Sequence, residues 1–374
     1  MRILHLIHSE GIYGAELILL YLAHEQQQQG HQPIIGSMRD PGTPETPFEA
    51  LAASWGVTVV PIRIVPRPTP AVIRRLLEIS RGLQTGIVHS HGYKANILLG
   101  PQRRGTRPPM VSTLHGWTAS RTFSFLWLYE RLDRWALGHV DAVVVVTRAM
   151  LKLPAVRAVA ADRVHLIENG IPALATRMAA LALRGAAAVP RSLIEFTRRR
   201  PTLVGIGRLS AEKGFAGLIE AFGRANRAHG DTHQLLLVGE GPERAALAER
   251  IAALGLQERV TLAGYVAGAD RLLEASAGFV MSSLTEGMPV VLMEALQWGV
   301  PVVATAVGAI PELLQDGRAG ELVAPGDVDA LTRALSALMA RTPAAAAGPR
   351  AALPSHFSSA RMARDYLRLY EAIT

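Results

Sequence analysis

Short apolar runs and longer amphipathic stretches alternate along nearly the whole chain. "RILHLIH" (2–8) comes first, an amphipathic stretch from Ala15 to Gln29 closed by Gly30 follows, and "QPIIGSM", "GIVHSH", "PMVSTLH" and "DAVVVVT" come after it. Strand-like runs separated by helical stretches predict a parallel sheet covered by helices on both faces. From "RVHLIENGI" (163–171) the rhythm loosens into an Ala- and Arg-rich segment, 173–200, that ends "TRRRP" and reads as a domain junction. Beyond it the rhythm restarts with "TLVGIGRL", a helix over 214–229, "HQLLLVGEGPE", a helix over 243–254, "RVTLAGYV", "AGFVMSS", a helix over 290–298, "PVVAT" and "GELVAP". "TPAAAAGPRAALP" (342–354) is of low complexity and reads as a connector. Met362, Tyr366, Leu369, Tyr370 and Ile373 then recur at helical spacing and give a last helix one apolar face. The expected organisation is α/β, with two Rossmann-like doubly wound domains over 1–175 and 176–355 and a terminal helix over 356–374. Two such domains face each other across a cleft, and ligands of such sheets sit at the carboxyl ends of the strands.

Composition supports a folded protein and narrows the chemistry. With 374 residues, 49% of them hydrophobic and 19% charged, the chain is globular and too long for one ordinary core. There is no cysteine, so disulfide and thiolate chemistry are excluded. No apolar run approaches the roughly 18 to 20 residues that span a bilayer. The start lacks a signal-peptide layout, and a cytoplasmic address is expected. The formal charge is +8, and the excess sits in the first half: residues 1–175 hold 18 Lys/Arg against 12 Asp/Glu, the rest 21 against 19. A basic surface attracts nucleic acid, an anionic membrane or a phosphorylated substrate. Sparse aromatics and the lack of a nucleic-acid motif argue against the first. Arg74, Arg75, Arg103, Arg104 and Arg121 suit peripheral contact with an anionic inner leaflet, each near-surface charge worth about 1 kcal/mol.

Four strand-to-helix turns carry the candidate chemistry. In "SSLTEGMPVVLMEALQWG" (282–299), Pro289 suits the first turn of a helix, with Glu286 just before it and Glu294 in its second turn. Unpaired backbone N–H groups of a first turn favour phosphate or hydroxyl-rich ligands, and carboxylates accept hydrogen bonds from hydroxyls. The plainer reading is a capping glutamate and an exposed helix residue. "GIGRLSAEKGF" (205–215) ends a strand at a glycine turn with Arg208 and Lys213, cations that can hold a diphosphate or stand solvated on a loop. "VGEGPER" (238–244) lacks the G-x-G-x-x-G spacing, which also weighs against a pyridine-dinucleotide oxidoreductase. "SEGIYGAEL" (9–17) opens a helix after the first strand, with Gly11 and Gly14 allowing close backbone approach. His115 in "STLHG" stands at a strand end beside Gly116. His89 and His91 end another strand without a third metal ligand at ordinary sequence spacing, and are second-line acceptor-site candidates.

Together these residues resemble the family-4 retaining glycosyltransferases (group 1, GT-B fold). The resemblance runs from Arg208 and Lys213 through "VGEGPE", "LAGYV" and the E-x7-E pair Glu286 and Glu294 to "FSSARMARDYLRLYEAI". It implies a metal-independent, retaining hexosyltransferase that moves a sugar from a nucleotide-sugar donor to a glycan or lipid-linked acceptor in bacterial surface polysaccharide assembly. UDP is favoured over GDP on the family's habits, and a soluble small-molecule acceptor is the alternative. The resemblance further implies that Arg208 and Lys213 bind the donor diphosphate and that Glu286, with backbone N–H groups of Gly287, Met288, Pro289 and Val290 nearby, holds the transferred sugar. Pro289 itself brings no N–H. Glu294 would bind the ribose, and Gly264 and Tyr265 would line the base pocket, with Gly207 in the diphosphate turn. His115 would approach the sugar, Gly14 would let the first domain close over the phosphates, and Tyr13, His91 and Lys94 are candidates for the acceptor. No cofactor or metal is expected: the sequence is read as having no D-x-D motif, and the cations take the part of the ion such a motif would hold. One departure is Pro172 in "ENGIPAL", where relatives carry an aspartate.

Overall fold

The computed structural model describes residues 1–8, 11–63, 69–116, 125–182, 189–340 and 353–374. Arg121 and residues 342–352 of the low-complexity stretch lie outside them. The chain forms two compact units, Met1–Pro172 together with Ser355–Thr374, and Ala173–Pro354.

The first unit is built on β1 (Arg2–His8), β2 (Gln32–Arg39), β3 (Thr58–Arg63), β4 (Ile87–Ser90), β5 (Met110–Leu114), β6 (Ala142–Val145) and β7 (Val164–Leu166). All pair in parallel, in the order β3-β2-β1-β4-β5-β6-β7. The sequence pattern did not single out β3. It is an edge strand interrupted by Pro61, and most of its residues are exposed or half-buried. The central strands differ: β4, β5 and β6 are buried along their whole length. Helix Gly14–Gln28 packs against helix Ser359–Ile373, whose Met362, Tyr366, Leu369 and Tyr370 are buried as their spacing predicts.

Gly170 and Ile171 bind the chain end to this unit through their backbone. Ile171 N–H donates to the Phe357 carbonyl at 2.9 Å, and Ser359 N–H donates to the Ile171 carbonyl at 3.1 Å. A Cβ on Gly170 would lie 2.2 Å from the Ser358 carbonyl oxygen, so this crossing admits only glycine. With Pro172 in the aspartate's place, the anchoring near the turn comes from main chain.

The second unit holds β8 (Thr202–Ile206), β9 (Gln234–Val238), β10 (Val260–Gly264), β11 (Gly278–Met281), β12 (Val302–Thr305) and β13 (Glu321–Val323), parallel in the order β10-β9-β8-β11-β12-β13. Helices Phe215–Ala228 and Val328–Met339 pack together on one face, where Phe222, Leu218 and Leu335 are fully buried. Segment 173–200 is more regular than its loosened pattern suggested: Leu174–Ala182 and Arg191–Arg199 are helices.

Both strand orders reverse direction next to the first strand of the unit, at β1/β4 and at β8/β11. Loops leaving the two strands of such a pair diverge and open a crevice at the carboxyl edge of the sheet. Truncating the core under the second sheet, Phe222→Ala, is expected to cost about 3 to 5 kcal/mol. Denaturant unfolding followed on variant and wild type measures it, and a loss below 1 kcal/mol would show that the ring is not a central packing element.

Candidate functional site

In the second unit the loops leaving β8, β9, β10 and β11 meet through main chain. Gly207 N–H donates to the Val238 carbonyl at 3.0 Å, Gly239 N–H to Gly264 at 2.8 Å and Leu209 N–H to Glu240 at 2.9 Å. A Cβ on Gly239, whose φ is +146°, would lie 1.9 Å from the Gly207 carbonyl oxygen, and one on Gly241 would lie 2.3 Å from that of Leu209. The glycines of "VGEGPE" therefore serve close packing of one loop on another. Gly214 (φ +65°) likewise lets Ser282 approach, and the Ser282 hydroxyl donates to the Lys213 carbonyl at 2.9 Å.

This frame holds Lys213 and Glu286 across the β8/β11 switch point. Lys213 Nζ donates to Glu286 Oε1 at 2.6 Å, and the Ser283 hydroxyl donates to the same oxygen at 2.6 Å. Both side chains are largely buried. Arg208, on the same loop as Lys213, is exposed and makes no side-chain hydrogen bond or ion pair among the described residues. Helix Val290–Trp298 begins just beyond Glu286, with Pro289 at its N-cap and no side-chain cap on its first turn. Pro289 thus precedes the first turn that it was expected to enter. Met288 and Val290 are buried, while the Gly287 carbonyl accepts from Ala309 N–H at 2.9 Å. Gly264 (φ +76°) ends β10, and Tyr265 after it is half exposed.

Glu294 is not an exposed helix residue. It is buried with Asp270 around Arg177: Arg177 Nη2 donates to Glu294 Oε1 at 2.9 Å and also to Asp270 Oδ2, and Nη1 donates to Gln297 Oε1 at 2.9 Å. Burial raises both carboxyls above their ordinary range, opposed by the guanidinium, and for Glu294 raised further by Asp270. Arg177 lies in the segment read as a junction, and only its place among alanines and leucines on an amphipathic turn could have marked it.

In the first unit, Gly14 starts helix Gly14–Gln28 and is exposed, as is Tyr13 before it, whose N–H donates to Glu16 Oε2 at 3.0 Å. Lys94 Nζ and His8 Nε2 both stand 3.8 Å from Asp40 Oδ1 at the carboxyl ends of β1 and β2. His91 departs from expectation. It is buried and uses both ring nitrogens inside the protein, with His5 Nδ1 at 3.0 Å and His115 Nε2 at 2.9 Å, so it offers nothing to an acceptor. His89 is fully buried too, against Thr113 and Tyr370. A third histidine does stand near this pair in space: nitrogens of His5, His89 and His91 all lie within 4.8 Å of one another. Sequence spacing hides it, because His5 comes from β1, which lies beside β4 in the sheet with His5 opposite His89.

A D-x-D spacing does occur, Asp327-Val328-Asp329, which corrects the reading that the sequence has none. Asp327 Oδ1 caps helix Val328–Met339 by accepting from Ala330 N–H at 2.8 Å, and Asp329 pairs with Arg224 at 2.7 Å. Neither carboxylate belongs to the crevice residues above.

The family described as Glycosyl transferases group 1 matches residues 200–341, and Glycosyltransferase Family 4 matches residues 12–173. This chain belongs to the family-4, group 1 glycosyltransferases. Among its relatives is the Alpha-maltose-1-phosphate synthase of Mycolicibacterium smegmatis, 28% identical over 77% of this chain and 79% of the relative. Another is the lipopolysaccharide core biosynthesis glycosyltransferase LpsE of Rhizobium meliloti, 33% identical over 49% of this chain and 53% of the relative. Of that second relative the chain matches about half the length. Anabaena Alr3699/HepE, solved in complex with UDP-glucose, shares the fold with a TM-score of 0.80 and 20% identity over the full length of both chains. The two parallel α/β sheets of this family-4 chain are those of the GT-B fold. No helix among its described residues is long and apolar enough to cross a membrane.

The buried carboxyls give a pH prediction. A carboxyl raised in the folded state adds stability at pH values below its unfolded pKa, near the ordinary 4.5, and loses it as pH rises through the raised value. Thermal stability is therefore expected to fall across that interval, and Glu294→Gln to flatten the fall while keeping the shape of the side chain. Identical slopes in variant and wild type, read by melting at a series of pH values, would rule the raised carboxyl out. A second outcome is expected of Gly239→Ala, which forces the β8 and β9 loops apart: a lower melting temperature, with circular dichroism at 25 °C unchanged.

Proposed function

We propose that the chain moves a hexose from a UDP-sugar to a glycan or lipid-linked acceptor, with retention at the anomeric carbon and without a metal ion. The observation that carries the reading is the Lys213–Glu286 pair set across a topological switch point beside exposed Arg208. Departure of the nucleoside diphosphate builds negative charge on its phosphate oxygens, and cations fixed in advance stabilise that charge without reorganisation. Arg208 offers a forked donor and Lys213 a point charge. Glu286, an acceptor held by Lys213 and Ser283, suits the hydroxyls of the transferred sugar, and the uncapped first turn of helix Val290–Trp298 suits its remaining oxygens. In the step itself the bond from the anomeric carbon to phosphate breaks as the acceptor oxygen bonds on the same face. The acceptor's proton passes to the departing diphosphate.

The donor assignment is supported by the UDP-glucose complex of the HepE neighbour, and surface polysaccharide assembly by the name of the LpsE relative. Contact with an anionic membrane rests on Arg74, Arg75, Arg103 and Arg104, all exposed, although Arg75 lies 3.8 Å from Glu78 and Arg104 pairs with Asp141. A soluble acceptor is the second reading, favoured by the maltose-1-phosphate named in the first relative.

The decisive test is a thermal-shift titration with UDP, GDP and ADP in EDTA. UDP at 100 times its dissociation constant stabilises a folded protein by about 2.7 kcal/mol. Selective stabilisation by UDP, lost in Arg208→Ala and Lys213→Ala, is expected, together with loss of transfer in Glu286→Ala. Stabilisation by none of the three nucleotides would sink the reading. Binding to anionic liposomes separates a lipid-linked acceptor from a soluble one.

A further inference from the structure

An open cavity of about 780 Å³ lies within the first unit. Its lining comes from segments 100–107, 139–141 and 162–165 and from the end of helix Ser359–Ile373. The first three segments lead into β5, β6 and β7, and all the strands run in parallel. The cavity therefore sits at the amino edge of the sheet, opposite the carboxyl edge. Its volume is that of a small-molecule site.

Four arginines line it, Arg103, Arg104, Arg107 and Arg163, against two aspartates, Asp141 and Asp162. Asp141 is already engaged. Arg107 Nη1 donates to its Oδ2 at 2.6 Å, Met110 N–H donates to the same oxygen at 2.8 Å, and Arg104 Nε donates to Oδ1. Burial works to raise this carboxyl, but the three donors outweigh it and hold the group below its ordinary range. Arg107 is buried and engaged in turn, donating also to the carbonyls of Pro108 and His139, each at 3.0 Å. Arg107 and Asp141 thus cancel, which leaves Arg103, Arg104 and Arg163 against the exposed Asp162. Two of these three guanidinium groups are fixed. Arg104, its side chain 72% exposed, is anchored at Nε and has both Nη groups without a partner among the described residues. Arg163 Nη1 donates to the Gly138 carbonyl at 3.0 Å and the Val140 carbonyl at 3.1 Å, just past helix Phe125–Leu137, and its Nε and Nη2 are without a partner among the described residues. A guanidinium held through one nitrogen keeps the rest of its fork in place, which lowers the ordering cost of binding an anion. Helix Ser359–Ile373 adds Leu369, Ala372 and Ile373, an apolar stretch of lining.

We infer that this cavity is a second anion site, for a phosphate ester with an apolar body: Arg103, Arg104 and Arg163 take the phosphate oxygens, and the end of helix Ser359–Ile373 takes the body. Phosphate fits better than a carboxylate. One arginine fork satisfies both oxygens of a carboxylate, whereas a phosphate offers further oxygens to further guanidinium groups. The site belongs to the first unit alone and shares no residue with the Lys213–Glu286 crevice, so it stands apart from the proposed transfer reaction. Two sources carry this chemistry, a phosphate ester in solution and the phosphate of an anionic lipid.

Calorimetry on the full chain at fixed ionic strength, with inorganic phosphate and with hexyl phosphate, tests the site without any turnover. Saturable binding of hexyl phosphate is expected, roughly 10-fold tighter than inorganic phosphate, as burial of two methylene groups gives. Arg103→Gln combined with Arg104→Gln should weaken it roughly 10-fold or more, the effect of losing a hydrogen bond to a charged group. Both side chains are exposed, so the double variant is expected to fold, with circular dichroism as the control. Ile373→Ser should bring hexyl phosphate down to the level of inorganic phosphate, and Arg208→Ala should retain the binding. Unchanged binding in the double variant, or loss in Arg208→Ala, would place the anion elsewhere and overturn the inference. Equal affinity of the wild type for the two phosphates would overturn the apolar body. Sedimentation with vesicles of phosphatidylglycerol, against phosphatidylcholine, identifies the source. Binding to the former that the double variant abolishes assigns the site to a lipid phosphate, and binding of hexyl phosphate alone assigns it to a soluble ester. Saturable binding of neither would overturn the inference whether or not the chain transfers a sugar.

Discussion

Parallel pairing brings the carboxyl end of every strand to one edge, and at that edge the loops must meet or leave a gap. In the second unit they meet, because glycines let main chain approach main chain at Gly207, Gly239 and Gly241. The loop that carries Lys213 is held from one side by the β9 loop and from the other by Ser282, so the Lys213–Glu286 pair spans the reversal in strand order on a fixed frame. A charge placed in this way pays little reorganisation when a charged ligand arrives. Everything proposed for catalysis in this chain depends on that backbone contact.

The two units solve a common problem with different materials. Beneath its carboxyl edge the second unit buries one arginine between two carboxyls, Arg177 with Asp270 and Glu294. The first unit buries a neutral hydrogen-bonded series of histidines and tyrosines at β1, β4 and β5. Buried charge is costly unless paired, and a neutral network is costly unless complete. Each arrangement bonds to a neighbouring element: helix Val290–Trp298 in one case and His115, just after β5, in the other. Helix Ser359–Ile373 belongs to this support, since Tyr366 and Tyr370 close the histidine cluster while Gly170 and Ile171 clasp residues 357–359 from the main chain.

Much of this was legible in the sequence. Period and run length determined the alternation of strands and helices, since parallel strands buried on both faces read as continuous apolar runs. The exception was β3, an edge strand with Pro61 in its middle. Turn chemistry determined the positions of Gly207, Arg208, Lys213, Glu286 and Gly287 at strand ends, and the spacing of Glu286 and Glu294 carried the family resemblance. What the sequence could not set was which side chains meet. Glu294 and Arg177 are 117 residues apart, and His5 and His91 are 86 apart. Packing of helix Leu174–Ala182 against helix Val290–Trp298 brings the first pair together, and strand order the second, because β1 lies beside β4 and not beside β3. The direction of a hydrogen bond, the neutrality of a buried histidine and the pairing of a carboxyl all follow from burial and neighbours. Those are properties of the folded chain, and only the tertiary structure decided them.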